Sequence, residues 1–421
     1  MGLALRRLAA RAALLGLPLA LGLACRRQAP KPPPPPPPSL SLVAVGDILM
    51  HQDVIKSAGL DAQGFPGLWA DLVPLFQQAD LAFANLESPV APTCGQPGVP
   101  FQFNAPETLP AALKASGLTV LATANNHAYD QGAKGVLETL TRLRVQGLVP
   151  IGSGEDRAQA ERTRILERQG LHVAFLGCTD LFNINLNRKD SEPWVRPLDL
   201  EPVLQAVREA RGRADLVVVS VHWGNEYQHH PSPRQREAAQ ALVAAGCDLI
   251  LGHHPHVLQP VEFVEGNGRR GLVAFSLGNF ISNQDRMYPG DRTPVAEGDN
   301  RDGVALRVRF ERGPGGLEVK EAVVDPLWTE NNWGQAGPRR IHVVRVAAAE
   351  ERLRTELGQL KDAVEGAKAE PDGLKRGRLI QVKQAYQRTL AKRRERVAEV
   401  VGVDFVARPG PVPPDVRAVR R

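Results

Sequence analysis

From Ser39 onward, short apolar runs alternate with stretches whose apolar positions recur every three or four residues. The runs predict strands at Ser41–Val45, Leu81–Ala84, Thr119–Ala122, Val173–Leu176, Leu216–Val221, Leu249–Leu251, Leu272–Ser276 and Val304–Phe310. The helical spacing predicts Gly67–Gln77, Glu107–Ser116, Gly132–Gln146, Leu200–Arg211 and Pro233–Ala245, the last bounded by Ser232 as N-cap and Gly246 as stop. Strands alternating with helices predict an α/β fold around a buried, mostly parallel sheet. After about Asn331 the composition turns to Ala, Glu, Lys, Arg and Leu, with helical periodicity over residues 347–400. That segment carries no pattern suggestive of chemistry, and the prolines at 409, 411, 413 and 414 predict a loose tail.

The residues that follow the apolar runs are more informative than the runs themselves. The first run leads into Gly46-Asp47, with His51 four residues on. A Gly-Asp there can equally be an N-cap for the next helix. The second leads into Asn85-Leu86-Glu87-Ser88 and is stopped by Pro89. The third leads into Asn125-Asn126-His127, with Asp130 close behind. Adjacent amides suit a core poorly, because each buried amide needs several partners. Later runs end in His222-Trp223-Gly224, in Gly252-His253-His254-Pro255-His256 and in Gly278-Asn279.

Five of the ten histidines, His127, His222, His253, His254 and His256, therefore sit just past predicted strands. In a mostly parallel sheet those ends share one edge, where α/β folds place chemistry. Carboxylate, amide and imidazole donors without cysteine suit a borderline-hard divalent ion such as Mn²⁺, Fe²⁺ or Zn²⁺. The donors exceed one tetrahedral site, whereas two ions about 3.5–4 Å apart, bridged by a carboxylate, account for them.

Length and charge then narrow the picture. A chain of 421 residues is longer than one core usually organises. Six basic residues and no acid lie in the first 31 positions, so the remainder holds 46 basic and 46 acidic residues. Nothing in that balance predicts a nucleic-acid partner. Arg6, Arg7 and Arg11 precede the apolar stretch Ala13–Ala24, too short for an ordinary spanning helix. The stretch ends in Gly22-Leu23-Ala24-Cys25, which resembles a bacterial lipoprotein signal, with Cys25 the lipidated residue. A plain secretory signal is the alternative, and both imply export. Residues 1–25 are thus expected to be a leader and 26–39 a Pro-rich linker, stiffened by polyproline II over Pro32–Pro38. The expected location is outside the cytoplasm, lipid-anchored to the bacterial cell membrane. Cys94, Cys178 and Cys247 read as structural, with a Cys178–Cys247 bridge as the alternative in an oxidising compartment.

The ordered set of Gly46-Asp47, Asn85-Leu86-Glu87, Asn125-Asn126-His127, His222-Trp223-Gly224, Gly252-His253-His254-Pro255-His256 and Gly278-Asn279-Phe280 resembles a known family. It is that of the capsule-synthesis (CapA, poly-γ-glutamate) proteins, a branch of the calcineurin-like metallophosphoesterase superfamily. The resemblance covers residues 40–335, leaving 336–421 as a mostly helical C-terminal extension. It implies a four-layer α/β/β/α sandwich of metallophosphoesterase type. It also implies two divalent metal ions. Asp47 and His256 would hold the first, Glu87 would bridge, and Asn126, His222 and His254 would hold the second. His127 would be the general acid or a phosphate-contacting imidazole. His51, Asn85, Asn125, His253 and Asn279 are additional candidates.

Two positions depart from the superfamily pattern. Superfamily members open with Asp-X-His, but residue 49 is Leu, leaving His51 as a substitute, and Glu87 stands where they carry aspartate. Two functions are compatible with this. One is hydrolysis of a phosphoester or an anionic cell-envelope substrate by metal-activated water, with His127 as acid. The other is a non-catalytic, metal-stabilised accessory role beside the capsule-synthesis machinery, in synthesis or export of an anionic polymer such as poly-γ-glutamate. Arg286, Arg292 and Arg301 read as charges on a surface loop, with steering of an anionic substrate as the alternative.

Overall fold

Alternation along the first strand explains the layering. The computed structural model describes residues 38–97, 101–290, 293–313, 315–332, 337–365 and 371–406. Within Ser39–Ile48, Leu40, Leu42 and Ala44 face a core shared between two sheets, while Val43 and Val45 face helices on the other side. Both faces are covered, so the strand reads as one continuous apolar run. The leader with Cys25, the linker up to Pro37, Arg292 and the tail from residue 407 lie outside the described residues.

An eight-stranded sheet runs in the order Ile341–Arg345, Gly316–Asn331, Asp302–Gly313, Ser39–Ile48, Leu81–Leu86, Val120–Ala122 and Val149–Ile151, with Asn279–Ile281 beside the end of Ser39–Ile48. A six-stranded sheet runs Val261–Gly266, Arg269–Ala274, Leu249–His253, Leu216–His222, Leu171–Thr179 and Arg164–Arg168. Phe83, Val120 and Leu306 of the first meet Phe175, Val218 and Leu251 of the second in the shared core. Phe65, Leu75 and Leu113 cover the first sheet's outer face, and Val203, Val207, Leu242 and Val243 cover the second's. The result is the four-layer α/β/β/α sandwich.

Each predicted strand is present, but the pairing is less parallel than the alternation suggests. The six-stranded sheet is parallel in its middle and antiparallel at both edges, whereas the eight-stranded sheet is parallel from Ser39–Ile48 to the edge strand Val149–Ile151 and antiparallel on its other side. Two-residue turns with positive φ make two of the edge hairpins: Gln169-Gly170 (53° and 70°) and Asn267-Gly268 (49° and 71°). The predicted helix Gly67–Gln77 is instead two short ones, Phe65–Leu68 and Val73–Gln78. Pro74 opens the second, and a proline interrupts any helix that tries to run through it. Cys178 and Cys247 are buried and unpaired, so the bridge is absent. Burial pushes the Cys178 thiol up to about 12.

Two helices, Val346–Glu365 and Pro371–Val401, follow the last strand. Val346, Leu353 and Leu390 pack with Tyr288 and Trp328 outside the first sheet, while Val397 and Val401 join the core between the sheets. The helix Pro233–Ala245 begins on a capping box. The Ser232 hydroxyl accepts from the Gln235 amide nitrogen at 3.3 Å, and Gln235 Oε1 accepts from the Ser232 amide at 2.9 Å. Ser232→Ala removes half of that arrangement and is expected to cost about 1 kcal/mol of stability. Chemical denaturation of the two proteins checks it; an unchanged midpoint would reject the cap's contribution.

Candidate metal centre

Strand register brings the polar residues together. In the first sheet Asp47 lies level with Asn85 on one side and Asn279 on the other. In the second, His222 pairs with His253. The closeness of Asn279–Ile281 to the first strand depends on Gly46, where a Cβ would fall 1.9 Å from the Gly278 carbonyl oxygen. The carboxyl-terminal strand ends of the two sheets thus meet across Asp47, whose Oδ1 lies 3.1 Å from His253 Nδ1. The imidazole of His253 in turn sits against Phe83 at the top of the inter-sheet core, ring centroids 5.7 Å apart.

A closed ring of polar contacts follows. Asn85 Nδ2 donates to Asp47 Oδ1 at 2.8 Å, and the His254 amide approaches Asp47 Oδ2 at 3.3 Å. His256 Nδ1 is 3.4 Å from Asp47 Oδ2, and its Nε2 is 3.6 Å from Glu87 Oε1. His222 Nε2 is 3.5 Å from the same glutamate oxygen and 2.9 Å from Asn126 Oδ1. The rings of His222 and His254 are edge to face at 4.8 Å. Asn125 Nδ2 donates to the Leu86 carbonyl at 2.9 Å, and Asn279 Oδ1 is 3.1 Å from His256 Nδ1. Asp47 does not cap the helix that follows; His51 holds the N-cap position.

Charge is distributed unevenly over this ring. Asp47 is buried, which favours its neutral form, yet hydrogen bonds and charge from His253 and His256 hold it well below the usual carboxylate range. Glu87 goes the other way: burial, then repulsion from Asp47, raises it well above. Two carboxyl groups in one dry space cannot both ionise cheaply, and the one with imidazole partners keeps the charge. Burial lowers His254 to about 4, and lowers His222 well below its ordinary value, with His254 adding to the effect. Both are therefore neutral imidazoles, the ligand form.

Glu87 is the strongest test of whether a cation fits. It is fully buried, and neither oxygen has a hydrogen-bond partner among the described residues. The same is true of His253 Nε2 and His254 Nδ1. Buried polar atoms are normally satisfied, and leaving a carboxyl orphaned costs free energy that a bound cation would offset. Ligand atoms of Asp47, Glu87 and His222 lie within 4.8 Å of one another, as do those of Glu87, His254 and His256. Glu87 is common to both groups, and either can hold a divalent metal ion.

At the rim, His127 Nδ1 is 2.7 Å from Asp130 Oδ2, which also accepts from the Phe103 amide at 2.6 Å. The Phe103 ring stands edge-on to His127 at 4.6 Å. Asn183 reaches over His127, its Nδ2 within 3.5 Å of both ring nitrogens, and its amide donates to the Asn126 carbonyl at 3.1 Å. Asp130's three-residue spacing from His127 was the available signal for its partnership; nothing in the polar loop around Asn183 marked that residue. The His51 ring also stands edge-on to Phe103, at 5.0 Å, and its Nδ1 accepts the Asn283 amide at 3.2 Å. It is in neither metal-ligand group, and burial lowers it to about 4. Leu49 is buried and supplies no donor. Arg301 corrects an expectation: it belongs to no surface loop and steers nothing. It is buried, donates to the Thr329 and Tyr288 carbonyls at 2.7 and 3.2 Å, and stacks on Trp328. Arg286 is exposed.

The sequence profile of the bacterial capsule synthesis protein PGA_cap matches residues 41–284. The PGA biosynthesis protein CapA of Bacillus subtilis (strain 168) is 33% identical over 305 residues, covering 72% of this chain and 77% of that one. The capsule biosynthesis protein CapA of Bacillus anthracis is 34% identical over 253 residues, covering 58% of this chain and 60% of that one. Among solved structures, the calcineurin-like phosphoesterase YfkN from Bacillus subtilis aligns with a TM-score of 0.41 at 14% identity, covering 72% of this chain and 94% of that one.

The opposed carboxyl and imidazole shifts set a pH dependence. Glu87 is raised above its ordinary 4.5, so its protonated form favours the metal-free fold, and that contribution is lost as pH rises through the folded value. His254 has the opposite sign. Lowered from 6.5 to about 4, it contributes stability above 6.5 that is lost as pH falls toward 4. A cation uses the ionised glutamate, so Mn²⁺ should raise the melting temperature more at about pH 8 than at about pH 6. Thermal melts with Mn²⁺ and with EDTA across that range check it. A melting temperature indifferent to Mn²⁺ at every pH would remove the metal from the picture.

Proposed function

The chain belongs to the bacterial capsule synthesis protein PGA_cap family, and from that premise we propose that it is a metal-dependent hydrolase working in the synthesis of an anionic capsule polymer. The observation that carries this reading is Glu87: buried, orphaned of hydrogen bonds, and ringed by Asp47, His222 and His256. Asp47, Glu87, Asn126, His222, His254 and His256 would hold the divalent cation or a pair of them. A bound cation supplies Lewis acidity and lowers the pKa of a water nucleophile.

The rest of the chemistry belongs to the chain's own residues. His127 would give a proton from Nε2 to the leaving oxygen, while Nδ1 is tied to Asp130, which fixes the ring. Phe103 limits water on one face of that ring. Asn183, whose Nδ2 lies within 3.5 Å of both ring nitrogens, covers the same ring. The substrate class we assign is a phosphoester or an anionic cell-envelope polymer. Export on the N-terminal leader and anchoring through Cys25 would bring the centre to such a substrate, next to the capsule-synthesis machinery.

A second reading, a metal-stabilised accessory protein without turnover, is favoured by one observation. Position 49 offers no nitrogen donor, because Leu49 is buried, and His51 is spent on the Asn283 amide. An assay with an aryl phosphate and a phosphodiester, with Mn²⁺ or with EDTA, separates the two. Under the hydrolase reading, His127→Ala keeps its metal and loses roughly 10²–10⁴-fold in turnover, whereas His254→Ala loses metal by elemental analysis. Equal turnover in wild type and His127→Ala would reject the acid. Metal without any EDTA-sensitive hydrolysis would favour the accessory role.

A further inference from the structure

The ligand loop is held in an unfavourable backbone conformation. His254 and His256 have φ of 96° and 55°, a region that side chains with a Cβ seldom adopt. Such a conformation persists only where the surroundings over-determine it. Here the surroundings include a distant part of the chain. The His256 carbonyl accepts from Asn279 Nδ2 and from Asn300 Nδ2, each at 3.3 Å, and Asn279 Nδ2 also donates to the Asn300 carbonyl at 2.8 Å. With His256 Nδ1 against Asn279 Oδ1, its Nε2 is left facing Glu87.

Asn300 lies in the 3₁₀ turn Val295–Arg301, and the C-terminal helix Pro371–Val401 grips that turn one residue earlier. Asp299 accepts from Arg393 at 3.2 Å and from Arg396 at 3.2 and 2.9 Å. Arg393 is fully buried, and also donates to the Val295 carbonyl at 2.6 Å and pairs with Asp302 at 3.2 Å. A guanidinium is buried so deeply only where it is paired. His229 closes the circuit. Its Nε2 is 2.8 Å from Asp299 Oδ2 and its Nδ1 is 2.8 Å from the Leu258 carbonyl, two residues beyond His256.

We propose that the C-terminal helix is a working part of the metal centre: Arg393 and Arg396 fix Asp299, and through it Asn300 acts as a positioning residue for His256. This rests on reading the cluster as a metal centre. In metal sites, partners that orient a ligand typically contribute 10–100-fold to affinity.

The test uses the full chain with Mn²⁺ alone as probe, titrated calorimetrically, with near-UV circular dichroism and melting of the metal-free protein as controls. Asn300→Ala and Arg393→Met should each weaken Mn²⁺ binding roughly tenfold or more. Arg394→Gln should leave it unchanged, because Arg394 on the same helix pairs instead with Glu350, at 3.0 Å. If Arg393→Met does not fold, Asn300→Ala decides, its metal-free melting expected to stay close to wild type. Wild-type affinity in Asn300→Ala overturns the proposal while the metal reading stands. Equal weakening by Arg394→Gln overturns it as well, since the effect would then be general loosening of the helix. Failure of the wild type to take up Mn²⁺ sinks the metal reading and this inference together.

Discussion

Two carboxyl groups, Asp47 and Glu87, share one fully buried space, and the upper half of the molecule is organised around that fact. Desolvating an ion costs on the order of several kcal/mol even after the protein relaxes. Asp47 offsets its cost with Asn85, the His254 amide and two imidazoles. Glu87 has imidazoles beside one oxygen but no hydrogen bond to either, and burial favours its neutral form unless a cation arrives. The pair is therefore poised: comfortable with a single negative charge when empty, and able to take on a second when a divalent ion supplies the balance.

Sandwich geometry makes this arrangement available. Neither sheet alone could assemble it, since Asp47 and Glu87 come from the first and His222 and His253 from the second. Only at the strand ends, above the apolar filling of Phe83, Phe175 and Leu251, do the two sheets contribute polar groups to a common volume. Gly46 lets the short strand Asn279–Ile281 close on the first strand, and so brings Asn279 into register with Asp47. Fold and centre are joined there by a contact that leaves no room for a side chain.

Much of this was legible in the sequence, for a physical reason. Asn125-Asn126-His127 and His253-His254-Pro255-His256 are costly sequences to bury without purpose, and strand ends are where an α/β chain concentrates such residues. The Asn267-Gly268 turn is a local signal of one antiparallel edge, whereas the rest of what the pattern does not report is non-local. Arg301 could not be distinguished from a surface arginine, because its burial is created by Trp328 and Tyr288, partners at some distance along the chain. Arg393 is a sharper case. It sits in a segment rich in charge, reads as one more solvated residue, and is among the largest fully buried side chains in the structure. Periodicity reports which face of a helix is apolar; it cannot report that an arginine on that face has found two aspartates.

The left-handed backbone at positions 254 and 256 bears on how such a centre could change its metal. Asn, Asp and His adopt that conformation more often than other residues with a Cβ. The backbone therefore admits an oxygen donor or an imidazole at either place. An exchange of both histidines for Asn or Asp would keep the loop and harden the donor set, moving selectivity toward Mg²⁺ or Ca²⁺. Preference for a softer ion would then reside in the side chains alone, with the loop indifferent to it.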